Sequence, residues 1–558
     1  MMNKKDIIRI FCKNNQKYYD FEAGISVLEI YNQIDFKTKY LLTCAKVNNK
    51  VESLTFKCYR SKDIEFVDIQ NQSGLRTYVR SLCFIFAKAV YECFEDSHLY
   101  IEHPLSKGYY CELEIGRKVT EQDVDVIKKQ MWKIIDADYS FEAYHEQTDK
   151  VIKLFSDLKK EDKVKLFETS GQVYTTYQVL DGYYDFYNGA LLPSTSAIYM
   201  FELTKFNDGV LLRIPSMENP RELQSLVQQD KMMNVYKREI ELLRVWGLMN
   251  VGDLNMSEKK GEINVMVKVA EALQEKQIAQ MAAVIAQKYT EGVRIALIAG
   301  PSSSGKTTFC KRLQVQLMTN KIRPIAISLD DYYVNRKDTP LNPDGSYDFE
   351  SLYAIDLDLF NQDLSKLLDG EEVALPTFDF PTGTRLYKGN TIKLEENTIL
   401  MMEGIHALNP GLLPQIDPDS IYKIYVSALT AISLDDHNWI PTTDNRLIRR
   451  IVRDYQFRKY SAKETIARWP SVREGEDKWI FPYQENADAM FNSAMLYELA
   501  ALRHFAEPIL QEVMPSDPEY SEAYRLLKFL KFFRHIDINE LPNTSLLREF
   551  VGGSSFMY

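Results

Sequence analysis

Apolar and polar positions alternate along the first part of the chain, up to about residue 70. The segments DIIRIFCK and KYYDFEAG alternate with the period of a strand and predict a hairpin, and LLTCAKVNNKV and DIEFVDI predict further strands. Between them, SVLEIYNQI has the apolar spacing of a helix. We therefore predict a small β-rich domain over residues 1–70.

The pattern changes to helical spacing at about residue 72. The segment LRTYVRSLCFIFAKAVYECF predicts an amphipathic helix, and mixed strand and helix segments follow to about residue 215. Two further segments, ELQSLVQQDKMMNVYKREIELLRVWG and INVMVKVAEALQEKQIAQMAAVIAQKY, predict helices within residues 221–290. We expect an α+β domain over residues 72–215 and a helical connection over 216–290.

Strand and helix patterns alternate through residues 291–500, which is typical of a parallel sheet covered by helices. Residues 501–558 are predicted to be a mostly helical extension. The predicted fold class is therefore α/β: a domain with a parallel sheet, preceded by a β-rich domain and an α+β domain.

Composition and charge restrict the classes of partner. The chain has 558 residues and a net charge of −11, whereas a general nucleic-acid binder would show a basic excess. A small anion needs only a local positive cluster, so the overall acidity does not exclude one. The seven cysteines form no CxxC pair, and we expect reduced, mostly buried thiols.

The hydropathy pattern does not predict contact with a membrane. No apolar run reaches the roughly 18 residues needed to span a bilayer. The first residues, MMNKKDIIRIFCKNN, have no apolar core of a secretory signal. We expect a cytoplasmic protein.

The clearest chemical motif is a phosphate-binding loop of the form GxxxxGK[ST], from Gly300 to Thr307. It follows the apolar run VRIALIA and precedes the helical TTFCKRLQVQLM, as the motif requires. Lys306 is expected to reach the β- and γ-phosphates of a nucleotide, and Thr307 to hold Mg²⁺. The residues predicted to bind the phosphates of a nucleotide in this loop are Gly300, Ser302, Ser303, Ser304, Gly305, Lys306, Thr307 and Thr308.

Two carboxylates follow predicted buried strands. Asp330 comes after RPIAISL, and Glu403 ends NTILMM. Because the carboxyl ends of parallel strands meet at one sheet edge, both should lie near the phosphate loop. One can accept the proton of an attacking hydroxyl, and both are candidate Mg²⁺ ligands beside Thr307. Strand-end capping by Asp330 and a surface position for Glu403 are the alternatives.

A row of arginines follows in TTDNRLIRRIVRDYQFRKY. The helical spacing places four guanidiniums on one face, with Arg458 just beyond: Arg446, Arg449, Arg450 and Arg453. Such a face would repel itself unless it meets anions, and a phosphoryl transfer site supplies them. The alternative is a solvated basic face neutralised by Asp444 and Asp454.

Together these motifs resemble the uridine kinase and phosphoribulokinase family over about residues 292–490. The resemblance is carried by the phosphate loop, DDYY at 330–333, SYDFE at 346–350, PTFDFPTGTR at 376–385, Glu403-Gly404 and RLIRRIVRDYQFR. It implies ATP and Mg²⁺ as cofactors, a nucleoside acceptor and catalysis by Asp330, Lys306 and Arg453. It also implies phosphate contacts from Arg453 and Arg458 and acceptor contacts from Asp348, Tyr333, Phe378, Arg385 and Arg450.

This sequence departs from that family at the pocket for the base. The uridine and cytidine kinases use Tyr, His, Arg and Gln side chains there, and the aligned positions here hold Phe378, Gly383, Tyr460 and Arg468. Losing an imidazole and a phenol changes which base edge can be hydrogen-bonded. Uridine is the first expectation only because the family implies it.

The amino-terminal half resembles a different family, the threonyl-tRNA synthetases. Residues 1–70 look like a TGS (β-grasp) domain and residues 72–215 like the editing domain, through GLRTYVRSLCFIFAKAVYECFEDSHLYIEHPLSKGYYCELE and YYDFYNGALLPSTSAIYMFEL. The editing motifs HxxxH and CxxxH are replaced at all four positions, by Thr77, Ser81, Tyr187 and Leu191. We therefore expect neither metal binding nor editing there.

Three functions remain open from the sequence. The first is an ATP-dependent nucleoside kinase that phosphorylates a 5′-hydroxyl. The second is a kinase of another sugar acceptor, in the manner of phosphoribulokinases. The third is a nucleotide-gated regulator in which the amino-terminal half contacts RNA, a nucleotide effector or a protein. That half could instead serve stability or dimerisation, and we expect a homo-oligomer.

Overall fold

The computed structural model describes residues 6–343 and 345–557. The first part of the chain is a five-stranded sheet with one helix, and the sheet order is β2-β1-β7-β4-β5. Its elements are β1 (Ile7–Cys12), β2 (Lys17–Glu22), β3 (Ile25–Ser26), α1 (Val27–Gln33), β4 (Leu42–Val47), β5 (Lys50–Glu52), β6 (Lys57–Cys58) and β7 (Lys62–Asp68). The predicted hairpin and helix are confirmed, and Ser26 with Glu29 forms a capping box at the start of α1.

The second part contains two antiparallel sheets, β10-β11-β12 and β13-β14-β9-β8. Its elements are α2 (Gln72–Cys93), β8 (His98–Leu105), β9 (Gly108–Glu114), α3 (Glu121–Asp136), β10 (Glu142–Gln147), α4 (Thr148–Asp157), α5 (Glu161–Ser170), β11 (Tyr174–Leu180), β12 (Tyr183–Asp185), β13 (Glu202–Phe206) and β14 (Gly209–Arg213). Helix α2 is buried on every side from Ser81 to Val90. The predicted exposed face is absent there because α2 packs against α3, β4 and β8.

The connection consists of α6 (Asp230–Trp246), α7 (Val251–Lys259) and α8 (Ile263–Thr290). The prediction of a helix from residue 221 is wrong by nine residues, since α6 begins at Asp230. Residues 221–229 instead follow the end of the preceding sheet, where Leu223 bridges Pro215 and Gln224 N–H donates to Ile214 O at 3.1 Å. Tertiary pairing has overridden a local helical preference.

The third part contains a five-stranded parallel sheet in the order β16-β21-β15-β22-β23, as the alternating pattern predicted. Its elements up to that sheet's last strand are β15 (Ile295–Ala299), α9 (Lys306–Thr319), β16 (Arg323–Ser328), α10 (Leu357–Leu368), β17 (Val373–Ala374), β18 (Thr377–Asp379), β19 (Thr384–Leu386), β20 (Thr391–Ile392), β21 (Thr398–Glu403), β22 (Ile421–Ser427), α11 (Thr442–Arg458), α12 (Ala462–Trp479) and β23 (Ala489–Asn492). Strand β15 is buried along its whole length, so it forms the centre of the core.

The chain continues through α13 (Glu498–Gln511), α14 (Tyr520–Leu530) and α15 (Arg548–Val551). The prediction of a mostly helical extension is only partly right, because residues 531–547 contain a single 3₁₀ turn and otherwise irregular backbone. Helices α13 and α15 both pack on α11. The seven cysteines are free thiols and six are buried, as predicted. No helix among the described residues is long and apolar enough to cross a bilayer.

Candidate active site

The phosphate loop lies between β15 and α9 with the shape that its two glycines allow. A Cβ atom on Gly300 would lie 2.2 Å from the carbonyl oxygen of Val426, so no side chain fits there. Gly305 has φ of +82°, in the left-handed region that favours glycine. The loop therefore turns its backbone tightly around the amino-terminal end of α9, the arrangement that binds phosphate through backbone N–H groups.

Polar groups of the loop are available for an anion. The buried hydroxyls of Ser303 and Ser304 have no hydrogen-bond partner within the described part of the chain. Among the described residues, the only hydrogen bond of Lys306 Nζ is the one that it donates to Pro301 O, at 3.2 Å. Buried donors without partners are costly, and a phosphate would satisfy them. The residues present fit a nucleotide phosphate.

Thr307 and Glu403 form the candidate magnesium position. The Thr307 hydroxyl donates to Glu403 Oε1 at 3.2 Å, which joins the start of α9 to the end of β21. Desolvation raises the pKa of Glu403 to about 7; Lys306 opposes the rise, and Asp330 adds to it. No group of three or more His, Cys, Asp or Glu side chains in residues 6–343 and 345–557 forms a dedicated metal site. Mg²⁺ suits such a position, because it takes few protein ligands and binds mainly to phosphates and water.

Glu350 belongs to this edge of the sheet, although the sequence did not single it out. Desolvation raises its pKa to about 7, Arg450 opposes the rise, and Glu476 and Asp330 add to it. Its Cβ packs against Gly475 of α12, where a further Cβ would lie 2.3 Å away. The only signal in the sequence was its place in the SYDFE segment, two residues after Asp348.

The arginines of α11 do not share one role. Arg446 and Arg449 are fully buried, and each is held by a buried carboxylate. Arg446 NH2 donates to Glu476 Oε2 at 2.6 Å, and Arg449 Nε donates to Glu498 Oε1 at 3.1 Å. For these two residues, both the expectation of a free anion-binding face and the alternative of a solvated face are wrong. Their charges are neutralised inside the protein.

The other three arginines remain near the loop and share a single carboxylate, Asp454. Arg450 NH1 also donates to Ser302 Oγ at 2.8 Å. The distances from Asp454 to Arg450 Nε, Arg453 NH2 and Arg458 NH1 are 3.3, 2.8 and 3.7 Å. Desolvation lowers the pKa of Arg458, and the neighbouring Arg453 lowers it further. One carboxylate cannot neutralise three guanidiniums, so this end of α11 has positive charge available for phosphates.

Where the sequence predicts acceptor contacts, the rings of Tyr333, Phe378 and Phe380 pack together into an aromatic wall. Tyr333 lies edge-on to Phe378 with ring centroids 5.6 Å apart, and Phe378 lies edge-on to Phe380 at 5.2 Å. The carboxylate of Asp331 holds this wall in place, because its Oδ1 accepts from Phe378 N–H at 3.1 Å. Flat apolar faces of this kind pack against the ring of a base.

Two of the polar acceptor residues that the family resemblance implies already have partners. Arg385 NH1 donates to Asp356 Oδ2 at 2.8 Å, and Asp348 Oδ1 accepts from Glu350 N–H at 3.2 Å. At the base-pocket positions, a Cβ on Gly383 would lie 2.7 Å from Nε of Arg336. Arg468 lies over the ring of Tyr460 at 4.3 Å. Arg336 therefore fills space beside the aromatic wall that no motif in the sequence indicated.

The four altered editing positions are integrated into the packing of the second part. The hydroxyls of Thr77 and Ser81 donate to carbonyls of their own helix at 3.0 and 2.9 Å. Tyr187 packs on Phe84 with ring centroids 4.9 Å apart, and Leu191 is buried. These side chains serve the packing of α2.

Ion pairs and a hydrogen bond connect the amino-terminal half to α11 and to the segment just before it, and no pattern in the sequence indicated them. Asp185 of β12 accepts from His437 Nδ1 at 2.6 Å, just before α11 begins. On α2, Arg76 pairs with Glu522 at 2.9 Å; Arg525 bonds both Glu522 and Asp444 of α11. The arginine helix is thus held by residues from both halves of the chain.

Comparison with known proteins agrees with this two-part organisation. Residues 295–499 match the family model described as Phosphoribulokinase / Uridine kinase family. A uridine kinase from Ureaplasma urealyticum is 28% identical over 195 residues, which cover 35% of this chain and 85% of that relative. A solved structure from Bacillus stearothermophilus, described as a possible uridine kinase, is 19% identical with a TM-score of 0.27; the match covers 39% of this chain and all of that one.

The amino-terminal half matches a different set of relatives, the threonine–tRNA ligases. The ligase from Caldanaerobacter subterraneus subsp. tengcongensis is 28% identical over 186 residues. That match covers 33% of this chain and 29% of the ligase, so the chain spans less than a third of that relative's length.

Proposed function

We propose that this chain transfers the γ-phosphoryl group of ATP to the 5′-hydroxyl of a nucleoside. It joins a P-loop kinase region, which matches the phosphoribulokinase and uridine kinase family, to a region similar to threonine–tRNA ligases. The observation that carries the proposal is the meeting of Lys306, Thr307 and Glu403 at one sheet edge, where β15 and β21 end. An α/β sheet binds its ligand at this edge.

Each residue has a distinct task in the proposed reaction. Asp330 accepts the proton of the attacking hydroxyl, and Lys306 binds the β- and γ-phosphates. The Asp454-linked arginines Arg450, Arg453 and Arg458 stabilise the negative charge that develops on the transferred group. Thr307 and Glu403 would hold Mg²⁺, which would supply positive charge to stabilise the phosphates of the nucleotide.

The aromatic wall supports a nucleoside as the acceptor. Tyr333, Phe378 and Phe380 offer ring faces and edges to a base and no hydrogen-bonding imidazole, so they bind a base without specifying it strongly. Uridine is the first candidate. A second candidate, an acidic sugar acceptor, is favoured by Arg336, whose guanidinium lies beside Gly383 and donates to Phe380 O at 2.7 Å.

The test is phosphate transfer from Mg·ATP to a panel of ribo- and deoxyribonucleosides and ribulose 5-phosphate. Lys306→Ala should lower turnover at least about 100-fold. Lys276→Ala is the matched control, because Lys276 is exposed on α8. Turnover of Lys306→Ala close to that of the control would contradict the proposed role of the loop. If no compound of the panel is phosphorylated while the protein still binds nucleotide, the result would favour a nucleotide-gated regulator instead.

The domains and the role of the amino-terminal half are a separate proposal. We infer that residues 1–70 form a TGS-like domain and residues 72–215 an editing-like domain without editing chemistry, and that residues 216–290, 291–500 and 501–558 are the connection, the kinase domain and an extension. Contacts join α2 to α11 through Glu522 and Arg525, and β12 to His437 just before α11. They support a regulatory role, because a movement of the amino-terminal half would be transmitted to the helix that contains the arginines. We propose that this half binds an RNA or a nucleotide effector, and that the chain forms a homo-oligomer.

A further inference from the structure

The carboxy-terminal segment, residues 541–551, lies against the phosphate loop. Leu546, Leu547 and Phe550 are fully buried, so this segment is part of the packed structure. Leu546 reaches the loop itself, where a Cβ on Gly305 would lie 2.5 Å from Leu546 Cδ2. The side chains of residues 541–551 therefore adjoin the site where a nucleotide would bind.

This segment also contacts α11. The guanidinium of Arg449 lies 5.1 Å from the centre of the Phe550 ring, and Arg449 NH1 donates to Ser303 O at 3.4 Å. Just beyond the segment, a Cβ on Gly552 would lie 3.6 Å from the ring of Phe457 at the end of α11. The segment thus fills the angle between the phosphate loop and the arginine helix.

A carboxylate of this segment occupies donors of the phosphate site. Glu549 Oε2 accepts from the backbone N–H of Thr308 at 3.2 Å and from the Thr308 hydroxyl at 2.7 Å. Thr308 is the third residue of α9, so no carbonyl of the helix itself can accept from its N–H, and the partner has to come from outside the helix. An anion bound there is favoured by both the N–H group and the helix dipole.

The position of these donors indicates which phosphate they would bind. In a loop of this type, the lysine reaches the β- and γ-phosphates and the following Thr serves the metal between them. The next residue along α9, Thr308, is then left for the phosphate nearest the nucleoside. A carboxylate and a phosphate oxygen cannot both take the same two donors.

We propose that Glu549 holds the place of a nucleotide phosphate on Thr308, so that the donor nucleotide binds by displacing a carboxylate of the chain's own carboxy-terminal segment. This inference rests on the proposed function, because it takes the loop to bind a nucleotide. It makes nucleotide affinity depend on how firmly residues 541–551 are packed. The structural alternative is that Glu549 only caps α9.

Two substitutions separate these roles. Glu549→Gln keeps an oxygen that can accept from Thr308 and removes the negative charge, while Glu549→Ala removes both. The control is Glu540→Gln, since Glu540 lies in a 3₁₀ turn just before the segment and forms no hydrogen bond with the loop in the described part of the chain. The measurement is the Kd of Mg·ADP for the full chain by isothermal titration calorimetry, beside thermal unfolding without nucleotide.

We expect Glu549→Gln and Glu549→Ala to bind Mg·ADP about 10-fold more tightly than the wild type, because the competing charge is gone. Glu540→Gln should bind as the wild type does. Unchanged or weaker binding by both Glu549 variants overturns the inference, and lower thermal stability of Glu549→Ala alone would then identify a simple helix cap. If neither the wild type nor a Glu549 variant binds, the inference also fails.

Lys306→Ala in the same titration keeps the two claims apart. If it does not weaken Mg·ADP binding, the proposed role of the loop is wrong. If Lys306→Ala weakens binding while both Glu549 variants bind as the wild type does, the proposed role of the loop is supported and only the displacement of Glu549 by nucleotide is refuted.

Discussion

Replacing Glu403 by glutamine should stabilise the nucleotide-free protein at pH 8, although the proposed reaction needs this carboxylate. Desolvation raises the pKa of Glu403 to about 7, with Lys306 opposing the rise and Asp330 adding to it. In the unfolded chain the pKa returns to its ordinary value of about 4.5. A carboxyl whose pKa is higher in the folded state favours folding at low pH, and this contribution is lost as pH rises from about 4.5 through 7.

The size of the effect follows from the two pKa values. A difference of about 2.5 units at ~1.36 kcal/mol per unit gives an upper bound of about 3 kcal/mol for the cost of the ionised group above pH 7. Partial access to solvent reduces this cost, so we expect about 1–2 kcal/mol. In a folding unit of the length of residues 295–499, a gain of that size raises the unfolding temperature by roughly 2–8 °C.

The assay is thermal unfolding of the full chain without nucleotide at pH 8 and pH 5. Glu403→Gln should unfold at a higher temperature than the wild type at pH 8, and the gap should shrink severalfold at pH 5. Glu396→Gln is the control, because Glu396 is an exposed carboxylate seven residues earlier. Turnover with Mg·ATP should fall in Glu403→Gln only. A gap that is absent at pH 8, or equal at both pH values, would refute the reasoning.

Two further predictions concern the base and the arginine helix. Asp330→Asn should lower kcat at least about 100-fold while the Kd of Mg·ADP stays within roughly 2-fold, measured by coupled assay and titration; a loss of nucleotide affinity alone would contradict its role as base. Glu476→Gln should destabilise the chain by about 3–5 kcal/mol in thermal or urea unfolding, because it leaves the buried charge of Arg446 uncompensated. Glu474→Gln, on the exposed side of the same helix, should change stability little.

Local features of the site could be predicted from the sequence because they depend on neighbouring residues. The turn from β15 into α9 needs Gly300 and Gly305 at fixed positions, and both occupy conformations or spaces that other residues cannot take. The parallel sheet followed from the alternation of strand and helix patterns. The position of Glu403 next to Thr307 could be predicted because the carboxyl ends of parallel strands share one edge of the sheet.

Features that depend on distant partners could not be predicted. Helical spacing shows that Arg446, Arg449, Arg450 and Arg453 share one face, but it cannot show that carboxylates at 476 and 498 fold against the first two. The burial of α2 has the same cause, since the sheets that cover it lie elsewhere in the sequence. The apolar pattern of a segment records how much of it is buried and leaves its partners unspecified.

Two carboxylates from later parts of the chain accept hydrogen bonds from the phosphate loop and the start of α9, and their surroundings differ. Glu476 Oε1 accepts from Ser302 N–H at 3.2 Å, but the same side chain is fully buried and paired with Arg446 and Arg473. Moving it would leave the buried guanidinium of Arg446 without its carboxylate, which is costly. Glu549 is only partly buried and forms no ion pair with the described residues, so it can leave its donors at a lower cost. Of the two, Glu476 is therefore a fixed part of the loop, and Glu549 is the carboxylate that an incoming phosphate can replace.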